Sequence, residues 1–348
     1  SVTAYIRKLV QYPGALQVLE FADGLVSLIA VRAAEGSPLV RHSLAEIPAL
    51  VPGADMRIVA IYRLDKALRE LDGSTRIETG DEVFVLAATE HIRAVLGALT
   101  KGDRPVQRVM IAGGGKVGLR LARQIHGECQ IKLIEPGRAR CEYLATELPS
   151  TVLVLQGDAT DENLLDDENV DEMDMFLALT SDDEDNIMSC LLAKRMGARR
   201  VLALINRRAY ADLVQGSQID IAIAPSQAVI GELLAYVRRG DVESVHSLRR
   251  GAAEAMEGIV HGDRKTSRLT GRPVGEINLP KGAQVGAIVR GLHQSDGSDA
   301  GAEAKPQVII AHRDTVIEAN DHVIVFVPRK RMVREVEKLF QVGATFLF

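Results

Sequence analysis

Between residues 108 and 225 the chain alternates brief apolar runs with longer amphipathic ones. RVMIA (108–112), QIKLIE (130–135), TVLVL (151–155), DMFLALT (174–180), RRVLALIN (199–206) and IDIAIAP (219–225) read as strands, bounded by turn residues. KVGLRLARQI (116–125), GRARCEYLATEL (137–148) and NIMSCLLAKRMG (186–197) space their apolar residues as helices do, the last stopping at Gly197. Strands that are apolar on both faces and separated by helices predict a parallel sheet covered on both sides. Right-handed crossovers then make it doubly wound, an α/β fold of Rossmann-like type.

The rest of the chain carries a repeat. AYIRKLVQYPG from Ala4 parallels AYVRRGDVES from Ala235, and LAEI ending at Ile47 parallels VGEI ending at Ile277. RIETGDEVFVLAATEHIRAVLGAL from Arg76 parallels VIEANDHVIVFVPRKRMVREVEKLF from Val316. Each copy ends in an alternating apolar strand (Val83, Val85; Val323, Val325) followed by an amphipathic helix. Gly80 and Asn320 precede those strands; both residue types tolerate positive φ, so one backbone conformation accounts for the exchange.

The offset is about 230 residues, and only the second copy has a glycine-rich segment before it. The expectation is that residues 1–14 are a connecting helix, with Ala4, Ile6, Leu9 and Val10 on its apolar face, left from a preceding glycine-rich domain of roughly 110 residues. Residues 15–100 form a small α+β module, 105–240 the doubly wound domain with its own connecting helix, and 251–341 a second module. The polar stretch from Leu292 reads as a loop inside it.

Composition narrows the function. The chain has 348 residues, 47% hydrophobic and 26% charged, with 42 Lys and Arg against 47 Asp and Glu. A net charge of −5 gives no reason to expect nucleic acid as a partner. No apolar run suits a membrane span, and the expected location is cytoplasmic. Cys129, Cys141 and Cys190 form no CxxC pair and are expected to be buried thiols.

The chemistry is concentrated at AGGGKVG. Gly113, Gly115 and Gly118 fit G-x-G-x-x-G directly after a strand and at the opening of a helix. The first glycine allows the tight turn, the second lets backbone approach a pyrophosphate, and the third permits close helix–strand packing. N–H groups at the helix start attract phosphate oxygens. Glu135 ends the next strand, 20 residues after Gly115, where a carboxylate accepts from ribose hydroxyls. That carboxylate favours NAD over NADP, with Arg138 nearby as the opposing feature.

Two more strand ends face the same crevice. After TVLVL come Gly157, Asp158, Ala159 and Thr160, which would lie beside an adenine, although Asp158 or Thr160 would equally serve as a helix cap. After FLALT, Thr180 and Ser181 would line the far side, while Ser181 with Glu184 also fits a capping box. Asn206 is a further candidate. Acidic residues crowd between Asp158 and Asp185, most of them expected on solvated helix faces. No histidine stands at metal-ligand spacing, so no metal site is expected.

IAGGGKVGLRLA, GDATDENLL, TSDDEDNIMSCLLAKRMGARRVLALINRRAY and HSLRRGAAEAMEGIVHGD together resemble the TrkA family, whose members repeat a TrkA-N (RCK-N) and a TrkA-C (RCK-C) domain. The resemblance covers nearly the whole chain and would make it a first TrkA-C domain, a TrkA-N domain and a second TrkA-C domain. It implies a cytoplasmic homo-oligomeric ring that binds NAD(H) and ATP or ADP and gates a membrane potassium-translocating subunit of TrkH type. On the family pattern Gly113, Gly114, Gly115, Lys116, Val117 and Gly118 would hold the pyrophosphate. Glu135 would take the ribose, Asp158 and Ala159 the adenine, and Thr180 with Ser181 the far wall. The helix 227–239 would be the moving element. No catalytic residue is expected. The rival reading, an NAD-dependent dehydrogenase, would draw its general acid from His261, His293, His312 or His322.

Overall fold

The computed structural model describes residues 1–101, 104–214, 217–225, 242–292 and 305–343. The helix expected at 227–239, His293 and most of the polar loop after Leu292 lie outside them. The chain divides into two compact units, Ser1–Leu16 with Arg104–Val229, and Gln17–Asp103 with Ile230–Phe348.

Strands are numbered along the chain. The first unit holds β6 (Arg108–Ala112), β7 (Gln130–Glu135), β8 (Val152–Gln156), β9 (Met175–Ala178), β10 (Arg200–Leu204) and β11 (Ile221–Ile223). They form one sheet of order β11-β10-β9-β6-β7-β8, parallel at every pairing. Helices Lys116–Ile125 and Arg138–Glu147 fall where the periodicity puts them, and the helix expected at 186–197 runs from Asp183 to Arg195, starting three residues earlier because Asp182 caps it. The strand order reverses between β6 and β9, and this opens a crevice at the carboxyl ends of those strands. Val109–Ala112 and Met175–Ala178 are buried throughout, as central parallel strands must be.

The helix Val2–Gln11 packs on Lys116–Ile125. It buries Ile6, Leu9 and Val10, each worth about 2 kcal/mol. Ala4, expected on that face, is exposed, and Thr3 takes its place. The stripe is rotated because Ile6, Leu9 and Val10 set the buried direction, and Thr3 lies three residues before Ile6 on that line.

The second unit contains the two repeats. β1 (Ala15–Phe21), β2 (Val26–Arg32), β3 (Met56–Arg63), β4 (Lys66–Ala67) and β5 (Glu82–Ala88) form a sheet of order β1-β2-β5-β3-β4. β12 (Val242–Leu248), β13 (Ala253–Ile259), β14 (Gln284–Arg290), β15 (Gln307–Ile310) and β16 (His322–Val327) follow the same plan, β12-β13-β16-β14-β15. Gly80 and Asn320 have φ of 87° and 65°, the shared conformation the repeat implied.

The two sheets pack face to face. A Cβ on Gly286 would collide with the end of the Leu86 side chain, so a larger residue there would push Leu86 aside where the sheets approach. Gln17 Nε2 donates to the Ser247 carbonyl oxygen at 3.0 Å, and Phe21 meets His246 edge to face at 5.3 Å. This contact overturns the expected alternation: Val83–Ala88 and His322–Val327 are buried at every position. One face of each strand meets its own module's core, and the other meets the second module. Equivalent hairpin turns complete the contact with different chemistry. The N–H of Ala22 donates to Glu257 at 2.9 Å, and Glu257 also holds His322 Nδ1 at 2.6 Å. On the other side Arg249 bonds Glu82 at 3.1 Å and Asp65 at 2.8 Å, with its guanidinium 4.1 Å from the centre of the Tyr62 ring.

Candidate functional site: the glycine turn and its crevice

β6 passes into the helix Lys116–Ile125 through Gly113, Gly114 and Gly115. Gly113 has φ of 108°, and its N–H donates to Ile134 O at 2.9 Å. A Cβ there would lie 3.0 Å from both the backbone nitrogen and Cγ2 of Thr180. A Cβ on Gly114 would collide with Leu144, and one on Gly118 with the carbonyl oxygen of Gly113. Gly115, the helix N-cap, differs: a Cβ there meets nothing within 4 Å, and its φ of −68° suits any residue. Gly113 and Gly118 are therefore required by the backbone itself and Gly114 is crowded by the Leu144 side chain, while Gly115 faces open space.

The carboxylate of Glu135 closes the turn from the side. Oε2 accepts from Gly114 N–H at 2.9 Å and Oε1 from Gly137 N–H at 3.0 Å. The carbonyl of Glu135 receives Gly157 N–H at 3.1 Å, which joins the ends of β7 and β8. Leu179 N–H reaches Ala112 O at 2.8 Å and brings Thr180 against the glycine turn. Gly113, Gly114, Gly115, Glu135 and Thr180 thus share one crevice. Lys116 is exposed and Val117 half-buried on the first helical turn.

The flanking residues divide between expected and corrected roles. Asp158 Oδ1 accepts from the N–H and hydroxyl of Thr160 at 2.8 and 2.7 Å, and these bonds hold its carboxyl below the usual range. Neither residue caps the following helix: Asp161 does, accepting from Asn163 N–H at 2.9 Å. Ala159 is half-buried against the sheet's core. Ser181 is exposed and does not cap either; Asp182 does, accepting from Asp185 N–H at 2.9 Å. In both loops the capping aspartate immediately precedes the first helical residue, where its oxygen reaches a free N–H. Asp185 is shifted upward, by burial first and then by the charges of Asp182, Asp158 and Glu184.

The acidic crowd also needs correction at two positions. Asp183 is buried and accepts from Asn206 N–H, Asn206 Nδ2 and Arg207 N–H at 2.8, 3.0 and 2.8 Å. Burial pushes its pKa up, but the bonds from Asn206 and Arg207 outweigh burial and leave it lowered. Asn206, a ligand candidate, is engaged there. Asp174 is also buried, where the N–H groups of Gln107 and Arg108 donate to it. Among the described residues no cluster of His, Cys, Asp or Glu could hold a metal ion. Of the cysteines, Cys190 is fully buried, whereas Cys129 and Cys141 are half-buried. Burial pushes the Cys129 thiol up to about 12.

Two residues that the sequence reading did not single out shape the site. Asn186, 0% exposed, accepts from Thr180 N–H and Oγ1 at 3.0 and 2.7 Å. It donates to Thr180 O and Leu204 O at 3.1 and 2.8 Å, so one amide fastens the ends of β9 and β10. Arg140 donates from Nε to Gly114 O at 2.7 Å, and its guanidinium lies 4.8 Å from the centre of the Tyr143 ring. Asn186 sits one helical turn after the cap, a position at which a polar residue on an inward face was the available signal.

The crevice accords with matches along the sequence. Residues 109–225 match the TrkA-N domain, and residues 28–99 and 264–341 each match the TrkA-C domain. A Trk system potassium uptake protein TrkA from Halomonas elongata is 52% identical over 345 residues, covering 99% of this chain and 72% of that protein. The chain belongs to the TrkA family. Proteins of the same name from Vibrio alginolyticus and Haemophilus influenzae are 49% and 45% identical over 346 residues, each again with 72% of the relative covered. The TrkA-N match coincides with the doubly wound sheet, and both TrkA-C matches fall in the paired modules of the second unit. No helix among the described residues is long and apolar enough to cross a membrane.

Proposed function

We propose that this chain is a nucleotide-sensing regulatory subunit of a potassium uptake system, binding NAD(H), or ATP or ADP, in the crevice of its doubly wound domain. The observation that carries the reading is Gly115: its neighbours leave room for a side chain that the sequence does not supply. A diphosphate against that bare backbone would meet the N–H groups at the start of Lys116–Ile125, with Lys116 and Val117 on the same turn and Gly113, Gly114 and Gly118 fixing its path. Glu135, already oriented by two N–H groups, would accept from the adenosine ribose, with Asp158 and Ala159 towards the adenine and Thr180 and Ser181 on the opposite wall.

The names of the relatives supply the transport context. In this reading the chain works in the cytoplasm as a homo-oligomer beneath a membrane potassium-translocating subunit of TrkH type, with residues 1–14 and 226–240 linking nucleotide-binding and TrkA-C domains. A nucleotide gates such an assembly only by binding one conformation more tightly. A 100-fold preference is worth about 2.7 kcal/mol per site, and several sites together shift an equilibrium decisively. The chemistry is regulatory rather than catalytic: His322, a candidate acid of the dehydrogenase reading, is buried with Glu257 between the modules. Calorimetric titration with NADH, NAD, ATP and ADP tests this. Saturable binding of at least one, without hydride transfer to 2-oxo acids, is expected; absence of binding by all four, or turnover, overturns it.

A further inference from the structure

We infer that Arg140 is the residue by which the crevice selects nucleotides that carry phosphate over the bare nucleoside. The inference deepens the proposed nucleotide-binding role and rests on it. Arg140 is held in two ways: Nε donates to the carbonyl oxygen of Gly114 at 2.7 Å, and the guanidinium stacks on Tyr143 with 4.8 Å to the ring centre. Gly114 adjoins Gly115, the position that faces open space. A fixed cation therefore stands at the edge of the surface where a phosphate would rest.

The charges around it leave that cation for a ligand. Glu135 is bound to the same Gly114, and both of its oxygens take N–H groups, from Gly114 and Gly137. Glu142 pairs with Arg138 at 3.2 Å. Among the described residues Arg140 forms no ion pair, although its side chain is half-buried. Arg138, the feature that weighs in the sequence against a preference for NAD over NADP, has a side chain 81% exposed and is tied to Glu142 one turn on. With Nε committed to the turn, the η nitrogens of Arg140 keep their donors in the planar fork that matches phosphate oxygens. Stacking on Tyr143 fixes the plane of that fork, which reduces the ordering cost when an anion arrives.

The test is titration of the full chain with adenosine, ADP and NADH, comparing wild type with Arg140→Gln and Arg140→Lys. A charge-assisted bond to phosphate predicts that Arg140→Gln weakens ADP and NADH about tenfold or more, and leaves adenosine within about twofold. Arg140→Lys, which keeps the charge, restores part of the ADP affinity. An equal loss for adenosine and ADP would show that Arg140 only shapes the turn and overturns the inference, as would an unchanged ADP affinity. If the wild-type chain binds adenosine but gains nothing from phosphates, this inference fails alone. If it binds none of the three, the nucleotide-binding role itself has failed.

Discussion

Arg290 holds Asp321 with two parallel hydrogen bonds, from Nε and Nη2, each 2.9 Å long. Arg63 holds Asp81 in the same way, at 2.9 and 2.8 Å, in the other TrkA-C module. The copies agree in detail: each aspartate also accepts a backbone N–H, from Glu318 or Glu78, at 2.8 Å. Each arginine reaches one more carbonyl, Val316 or Arg76, at 3.0 Å. Asp321 is 0% exposed and Asp81 1%, so each carboxylate depends on these partners. Removing one member of a buried pair strands the other charge, at roughly 3–5 kcal/mol. Because the arginines are partly exposed, Arg290→Met and Arg63→Met should each fall near the lower end, measured by denaturant unfolding. A loss below about 1 kcal/mol would show that the pairs are incidental.

The contact between modules places Glu257 between His322 and the Ala22 N–H. His322→Leu should leave a buried carboxylate with too few donors and destabilise the second unit by about 2–4 kcal/mol. Hydrogen exchange should quicken along both β5 and β16, since these strands bury their second face in this contact. Quickening confined to β16 would contradict the description of a shared core.

Asp183 sets a pH dependence in the first unit. Its pKa is lowered in the folded chain, because the N–H groups of Asn206 and Arg207 overcome the effect of burial. A group with a depressed folded pKa adds stability that is complete above its unfolded value, near 4, and is lost as pH falls through the folded value. Stability should therefore drop on acidification below about pH 4–5, and the slope should be shallower in Asp183→Asn. Identical slopes in the two proteins would remove Asp183 from the explanation.

Much of this was legible from residue order. The six parallel strands follow from brief apolar runs, and the glycine turn from three glycines between strand and helix with a fourth on the first helical turn. The exchange of Gly80 for Asn320 foretold a shared positive φ. What was not legible depends on partners distant in sequence. The second buried face of β5 and β16 exists only because one module covers the other, and Leu86 against Gly286 leaves no local periodic signal. Asp161 and Asp182 take the capping roles from their neighbours because cap choice depends on where the loop hands over to the helix, a matter of one residue. Asn186 looks like any polar helix residue until Thr180 and Leu204 are seen to converge on it.

The most direct measurement uses Gly115→Asp, with unfolding and NADH and ADP titrations on the same preparation. The position has open space, an ordinary φ of −68° and an N-cap role, so aspartate should keep or slightly raise stability, by up to about 1 kcal/mol. The same carboxylate would occupy and repel the place of a diphosphate, so binding present in the wild type should vanish. Undiminished NADH and ADP affinity in a stably folded Gly115→Asp chain would contradict the account.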